Sequence, residues 1–420
     1  MEAREEIEAL VEFEGRGPGT DAERRAADHL ADRLHELGRE GELEPVDIWP
    51  NWPLTYAIHV TLAVVGSVLS VTIPVVGALL VLLAVVLTFL DAIGLAITTR
   101  RLLGRRVSQN VISREDDDDK AGQLYLVAHY DAGRGGLAFH PTLQERRATV
   151  AKLLKRNLGP LQPLFMAMMV VLVCVLIRVP GIDSKILTII QFIPTVLLIL
   201  ALPLLIDTAL ASPVPGANDN ASGVATVLRL AERFGGKLEH FNVHVLLPGA
   251  QEALSVGMRG FLKKGKGDLD PVRSVFLNVD EVGRGTVRFT SREGLLLPIQ
   301  THKQLLSLCE EIAEDHQPDD DDDDEDDDED TPVIRSMVSR TTSDGYAARS
   351  AGFPAITITC KGSLDYTPGH HQRSDTSDRI DDEALERAYE FTSELIERLD
   401  QTVGPDLDSP ADETMLKEES

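Results

Sequence analysis

The 420-residue sequence predicts an α/β domain whose mixed, largely parallel central sheet is interrupted by about four transmembrane helices. Three observations carry this reading. Apolar β-rich runs alternate with helical patterns, two apolar tracts are each long enough to cross a bilayer twice, and residues of metal-binding type recur where apolar runs end.

Taken in order, residues 1–52 open the globular part. The stretch "MEAREEIEALVEFEGRGPGT" is charged and lacks the apolar core of a cleaved secretory signal, and "DAERRAADHLADRLHELG" reads as a helix. Residues 53–100 are too apolar and too long for one span, and Pro74 near the middle predicts two helices joined by a tight turn. Residues 101–161 resume the globular part with the strand "QLYLVAHYD", preceded by "DDDDK" at 116–120, a solvated loop. A second apolar tract, 162–211, is broken by "RVPGIDSK" and again reads as two spans. Residues 212–405 hold the helices "ASGVATVLRLAERFGG" and "DDEALERAYEFTSELIERL" and the strands "NVHVLLPGAQE", "RSVFLNVDE" and "PAITITCKG". The run "PDDDDDDEDDDED" at 318–330 repels itself and is expected to be a disordered loop, as is the tail 406–420.

Because each hairpin returns the chain to its starting side, residues 1–52, 101–161 and 212–405 share one compartment and can form a single domain. Arg100, Arg101, Arg105, Arg106, Lys152, Lys155 and Arg156 flank the spans on that side, against Arg178 and Lys185 on the other. The positive-inside bias then predicts a multi-pass protein whose globular part faces the cytoplasm. Asp91, Asp207 and His59 lie near span ends and make no ionisable path across the bilayer centre, which disfavours a transporter or channel.

Acidic residues outnumber basic ones, 68 to 41, for a formal charge of -27. No basic face exists to hold phosphates, so a nucleic-acid partner is not expected. Cys174, Cys309 and Cys360 are scattered and specify neither a disulfide framework nor a cysteine zinc motif. Nothing specifies an oligomeric state.

His129 and Asp131 close "LYLVAHYD", Glu252 follows "NVHVLLPGAQ", Asp280 ends "VFLNVD", Asp219 lies in "PGANDNASG" before a helix, and His371 lies in "TPGHHQRSDTSD". Each has a bland reading: a surface histidine, a helix cap, a solvated strand end. Together they form a mixed nitrogen and oxygen donor set on the edge where α/β sheets bind ligands, a set that suits zinc or another divalent metal. A hydrolytic two-metal site needs a bridging carboxylate and a histidine with a carboxylate for each ion. Asp219 fills the bridge, His129 and Asp280 one ion, Glu252 and His371 the other, with Asp131 placed to fix the His129 ring.

The ordered series H-x-D, G-x-N-D-N-x-S-G, a Glu-Glu-type pair after a strand (here Gln251-Glu252), N-x-D, S-D with A-G-x-P-A, and a late histidine before D-T resembles the di-zinc aminopeptidase and glutamate carboxypeptidase-like metallopeptidases. The likeness covers most of residues 13–136 and 213–400, apart from both hairpins and the acidic run. It implies a phosphorylase/hydrolase-like three-layer α/β/α zinc-exopeptidase domain, two zinc ions held by the five residues named above, and a peptide substrate.

The resemblance also isolates two departures. Where the family has a glutamate that acts as general base and acid, this chain has Gln251, whose amide hydrogen-bonds water but takes no proton from it. Losing proton-transfer help costs about 10²–10⁴-fold. Asp131 and Glu281 are the substitute bases within reach, although strand alternation aims Glu281 away from Asp280. The second departure is Gly345, where many relatives carry a histidine. The expectation is therefore an active membrane-anchored metallopeptidase, with a pseudo-peptidase that keeps the metals and binds peptides as the alternative.

Overall fold

The computed structural model describes residues 3–117, 119–153, 159–316 and 333–408. Its centre is one sheet of nine strands: β1 Glu42–Ile48, β2 Arg106–Ser113, β3 Gly122–Val127, β4 Phe241–Leu247, β5 Ser274–Val279, β6 Thr286–Glu293, β7 Ile299–Gln300, β8 Arg335–Ser339 and β9 Ala355–Lys361. The order is β1-β2-β4-β3-β5-β9-β6-β7, with β8 beside β6. β4, β3, β5 and β9 are mutually parallel, whereas β1, β2 and β6 join through antiparallel ladders. The middle of the sheet is thus parallel, with the carboxyl ends of four strands sharing one edge, and β8 adds a second parallel pairing beside β6.

Alternation along the central strands divides the core. Leu124, Leu126, Val243, Val245, Val275 and Leu277 pack on one face against Leu30, Val224, Leu228, Phe391 and Leu395. Tyr125, Val127, Leu246 and Phe276 point to the other face and meet Met258, Phe261, Ala347 and Phe353. The first face carries the helices Asp21–Glu36, Ser222–Phe234 and Asp382–Thr402; the second carries Val256–Lys264 and Asp344–Ser350. This is the expected three-layer α/β/α arrangement.

The apolar tracts form four helices: Trp52–Leu69, Pro74–Ala92, Gln162–Arg178 and Lys185–Leu210. Three are long and apolar enough to cross a membrane; Gln162–Arg178, at 17 residues, is shorter than the others. Pro74 begins a helix, where its missing N–H costs nothing, and Ser184 caps the last helix by accepting from Leu187 N at 3.1 Å. The four pack through Val60, Ala63, Val81, Ala84, Met168, Val171 and Leu198. Gly66 lets the first two helices touch, since a Cβ there would lie 2.9 Å from the Gly77 carbonyl oxygen. Their outer faces expose Val68, Leu79, Ile189, Phe192 and Leu200.

The acidic run lies outside the described residues, as do Lys155 and Arg156, Asp118 of the "DDDDK" loop, and the tail from 409 onward. Residues 406–408, expected in the tail, end the short helix Gly404–Asp408.

Candidate metal centre

The parallel strands deliver the site. β3 ends just before His129 and Asp131, β4 before Gln251 and Glu252, and β5 before Asp280 and Glu281. Asp219 sits in the loop that starts the helix Ser222–Phe234, and His371 in the long loop after β9.

The side chains converge around Asp219. Its Oδ1 lies 3.4 Å from His129 Nε2, and Asp280 Oδ1 lies 3.4 Å from the same nitrogen. Its Oδ2 lies 3.3 Å from His371 Nε2, which is 3.0 Å from Glu252 Oε1. One buried carboxylate therefore serves two trios of potential ligands. His370, absent from the expected set, joins the second: its Nδ1 is 3.1 Å from Asp219 Oδ2 and 2.6 Å from Glu281 Oε1. The dipeptide His370-His371 offered a signal, but sequence alone gives no reason for two adjacent side chains to face one centre. The left-handed backbone of His371, with φ of 55°, makes the turn, and the rings stack 4.0 Å apart.

Neighbouring polar groups hold this arrangement. The "NDNAS" motif is a clamp between two loops rather than a simple helix cap. Asn220 Nδ2 donates to Val279 O at 2.9 Å and its Oδ1 accepts from Glu281 N at 3.0 Å, while Asn218 Oδ1 accepts from Gly283 N at 2.7 Å. Asp375 accepts from Asn218 N and Asp219 N at 2.9 and 3.1 Å, and burial pushes its carboxyl up to about 6. Arg16, wholly buried, ties the back of the site by donating to Tyr130 O at 2.9 Å.

Asp131 stands 3.4 Å from His129 Nδ1, yet its carboxylate mainly serves the next loop: Oδ1 accepts from Gln251 N and Oδ2 from Glu252 N, both at 3.0 Å. Glu281 departs from the expected alternation. Its φ of 57° ends the strand and turns the side chain back toward the site, where it meets His370, Lys361 and Thr367. Burial favours its neutral form, but Lys361 and His370 overcome this and hold it at about 2. Asp344, also not anticipated, is buried with neither oxygen hydrogen-bonded, and burial drives it up to about 8. Gly345 beside it leaves no room for a histidine, because a Cβ there would strike Thr357 Oγ1.

The electrostatics favour positive charge at this centre. Burial opposes charge on His129 and His371, but the surrounding carboxylates lift both rings well above the usual histidine range. Asp219 Oδ2 is buried and accepts no hydrogen bond. Gly133 keeps space open beside the second trio, since a Cβ there would come within 2.7 Å of Glu252 Oε1. Mixed imidazole and carboxylate donors of this kind fit zinc. The cluster forms the floor of a cavity of about 710 Å³, whose walls include Trp52, Phe139, Leu161, Leu254 and Leu295.

The family description "Peptidase family M28" matches residues 206–396, a segment that contains Asp219, Glu252, Asp280 and His371. Over this segment, somewhat less than half of the chain, the protein is similar to peptidase family M28. No curated protein sequence matches the chain. Among solved structures, a leucine aminopeptidase precursor from Bacteroides thetaiotaomicron is 14% identical, with a TM-score of 0.52 over 94% of this chain and 95% of that one. A zinc aminopeptidase from Bacillus subtilis is 13% identical, with a TM-score of 0.52 over 94% and 93%. A glutaminyl cyclase from Tannerella forsythia is 14% identical, with a TM-score of 0.53 over 94% and 96%. At these identities the likeness is one of fold.

Proposed function

We propose that this protein is a membrane-anchored metallopeptidase of aminopeptidase type that holds two zinc ions. The observation that carries the reading is Asp219, whose two oxygens face two separate ligand groups, His129 with Asp280 and His371 with Glu252. When bound, zinc supplies Lewis-acid polarisation of the scissile carbonyl and activation of the attacking water. The protein's own part is positional. Asp131 steadies the His129 ring and the amides of Gln251 and Glu252, and the cavity walls shield the peptide from bulk water.

Proton transfer is the weak point. Gln251 lines the cavity and donates from Nε2 to Thr342 O at 2.9 Å, which leaves its Oε1 to accept a hydrogen bond from the attacking water without taking the proton. Neither substitute base is well suited. Both Asp131 oxygens are occupied by amides, and Glu281 is held acidic by Lys361 and His370. Gln251 thus favours, as the second reading, a peptide-binding domain with an idle metal centre.

The apolar outer faces of the four helices support anchoring in a lipid bilayer. Arg100, Arg101, Arg105, Arg106 and Lys152 at the domain side of the hairpins support a cytoplasmic domain. The test is to purify the full chain from membranes, measure zinc per chain, and assay aminoacyl and peptide amides. Zinc with turnover supports the peptidase; zinc without turnover supports the binding domain; a protein that takes up no zinc sinks both.

A further inference from the structure

We propose that the first helical hairpin is part of the metal site's support: Trp52 and Arg100 position the loop that carries Gln251 and Glu252, so that the membrane segment holds one half of the active-site backbone. The inference rests on the metallopeptidase reading for its consequence but on hydrogen bonds alone for its geometry.

The loop 250–255 has an uncommon conformation. Ala250, Leu254 and Ser255 all have left-handed backbones, with φ of 54°, 70° and 54°, and none is glycine. Such residues persist only where the surroundings over-determine them. The globular domain supplies acceptors for the loop's N–H groups. Glu23 Oε1 takes Ala250 N at 3.0 Å, and the two Asp131 oxygens take Gln251 N and Glu252 N.

The hairpin supplies donors for the loop's carbonyls. Trp52, the first residue of the helix Trp52–Leu69, donates from Nε1 to Glu252 O at 2.9 Å. Arg100, which follows the second helix, donates from Nη1 to Ala253 O at 2.7 Å. Asp91, near the end of the helix Pro74–Ala92, fixes the guanidinium from its other side: Nε meets Oδ1 at 2.7 Å and Nη2 meets Oδ2 at 2.8 Å. Asp91 and Arg100 are buried almost completely, so water cannot replace either contact. The turn at Gly94, with φ of 76°, lies directly against the guanidinium of Arg259 in the helix that follows the loop.

The loop is therefore clamped through its amides by the soluble layer and through its carbonyls by the membrane layer. Arg100 lies outside the cavity lining, and Trp52, although its ring forms part of the cavity wall, turns its Nε1 to Glu252 O; through these bonds both act as positioning residues for Glu252 and Gln251. Loss of groups that orient a metal ligand typically weakens metal binding by about 10–100-fold.

The experiment uses the full chain in lipid nanodiscs and three variants. Trp52→Phe keeps an aromatic ring and removes the donor. Arg100→Lys keeps a charge for Asp91 and shortens the reach to Ala253. Ser67→Ala disturbs the far end of the bundle, where Ser67 pairs with Thr195, and serves as the control. Hydrogen exchange of metal-free protein is read at the amides of 250–255, and zinc affinity by chelator competition. We expect exchange at Gln251 and Glu252 to rise at least about 10-fold in the first two variants, zinc to bind about 10–100-fold more weakly, and Ser67→Ala to match the parent in both. Unchanged exchange in Trp52→Phe and Arg100→Lys overturns the proposal, as does an equal rise in Ser67→Ala. A parent chain that binds no zinc overturns the metallopeptidase reading instead, and the exchange data still decide whether the hairpin holds the loop.

Discussion

Two clusters of buried polar groups lie at opposite ends of this molecule, and they are built on opposite terms. At the far end of the helical bundle, Gln191 donates from Nε2 to Ser67 O, Ser67 Oγ and Ser70 Oγ at 2.8 to 2.9 Å, while its Oε1 accepts from Arg178 Nε at 2.9 Å. Arg178 also pairs with Asp183, and Thr195 Oγ1 donates to Gln191 O at 2.7 Å. Donors and acceptors match, so burial has been compensated. At the sheet edge, Asp219, Glu252, Asp280 and Glu281 crowd three histidines, and Asp219 Oδ2 accepts no hydrogen bond. The first cluster is complete without a ligand. The second leaves a buried carboxylate oxygen without a donor among carboxylates and imidazoles, the pattern of a candidate cation site, and that difference sets it apart from a structural polar core.

The sharpest way to break the contrast is to remove the shared carboxylate. Asp219→Ala is expected to reduce bound zinc to background and abolish any hydrolysis, as read by metal analysis of the purified chain. Zinc retained at the parental level would remove Asp219 from the bridging role and leave the cluster without its organising residue.

Next in size is Gln251→Glu. The variant restores a carboxylate beside the site without adding volume, and turnover should rise by about 10²–10⁴-fold with zinc content unchanged. An inert parent that becomes active identifies the natural protein as a binding domain. A parent already as fast as the variant shows that proton transfer has another carrier.

Much of the sheet and of its ligand-bearing edge is legible in the residues themselves. Spacing and patterning in "LYLVAHYD", "NVHVLLPGAQE" and "RSVFLNVDE" locate β3, β4 and β5, because strands buried on both faces read as continuous apolar runs. β1 and β8 give no such signal. β1, "ELEPVDI", is an edge strand with four of its seven residues exposed and a proline within it, and such a strand is made by its neighbour rather than by its own composition. The candidate ligand set is readable from residue type at strand ends, and these side chains do converge. The orientation of Glu281 is not, since one left-handed residue reverses a side chain that alternation aims elsewhere. Nor are Trp52 and Arg100 as partners of residues 252 and 253, because contacts across about 150 to 200 positions leave no trace in local pattern.

A third prediction separates burial from charge as causes of the unusual histidines. His244 in β4 is as buried as His129, but among the described residues its charged neighbours are Arg39 and Arg114 rather than carboxylates. Burial, aided by Arg39 and Arg114, pushes it down to about 3. Its Nδ1 accepts from Glu115 N at 3.3 Å, a bond that protonation destroys. The unfolded chain takes the proton near pH 6.5 and the folded chain only near 3, so stability is full above 6.5 and falls as the pH drops between them. The slope reaches at most about 1.4 kcal/mol per pH unit. His244→Gln should flatten this acid limb in urea unfolding, and an unaltered limb would move the acid sensitivity to other groups.

The smallest effect tests the matched cluster itself. Thr195→Val removes one hydroxyl from a network in which Ser67, Ser70 and Gln191 retain partners. Hydrogen bonds between helices in membrane proteins average about 0.6 kcal/mol, because the membrane-unfolded chain finds other partners for its polar groups. A loss of that size in unfolding from micelles, with zinc affinity and turnover untouched, is the expected result. A variant that loses zinc affinity would show that the distant end of the bundle reaches the metal centre, through the same hairpin whose near end holds Glu252 and Ala253, and the two clusters would then be one system rather than two.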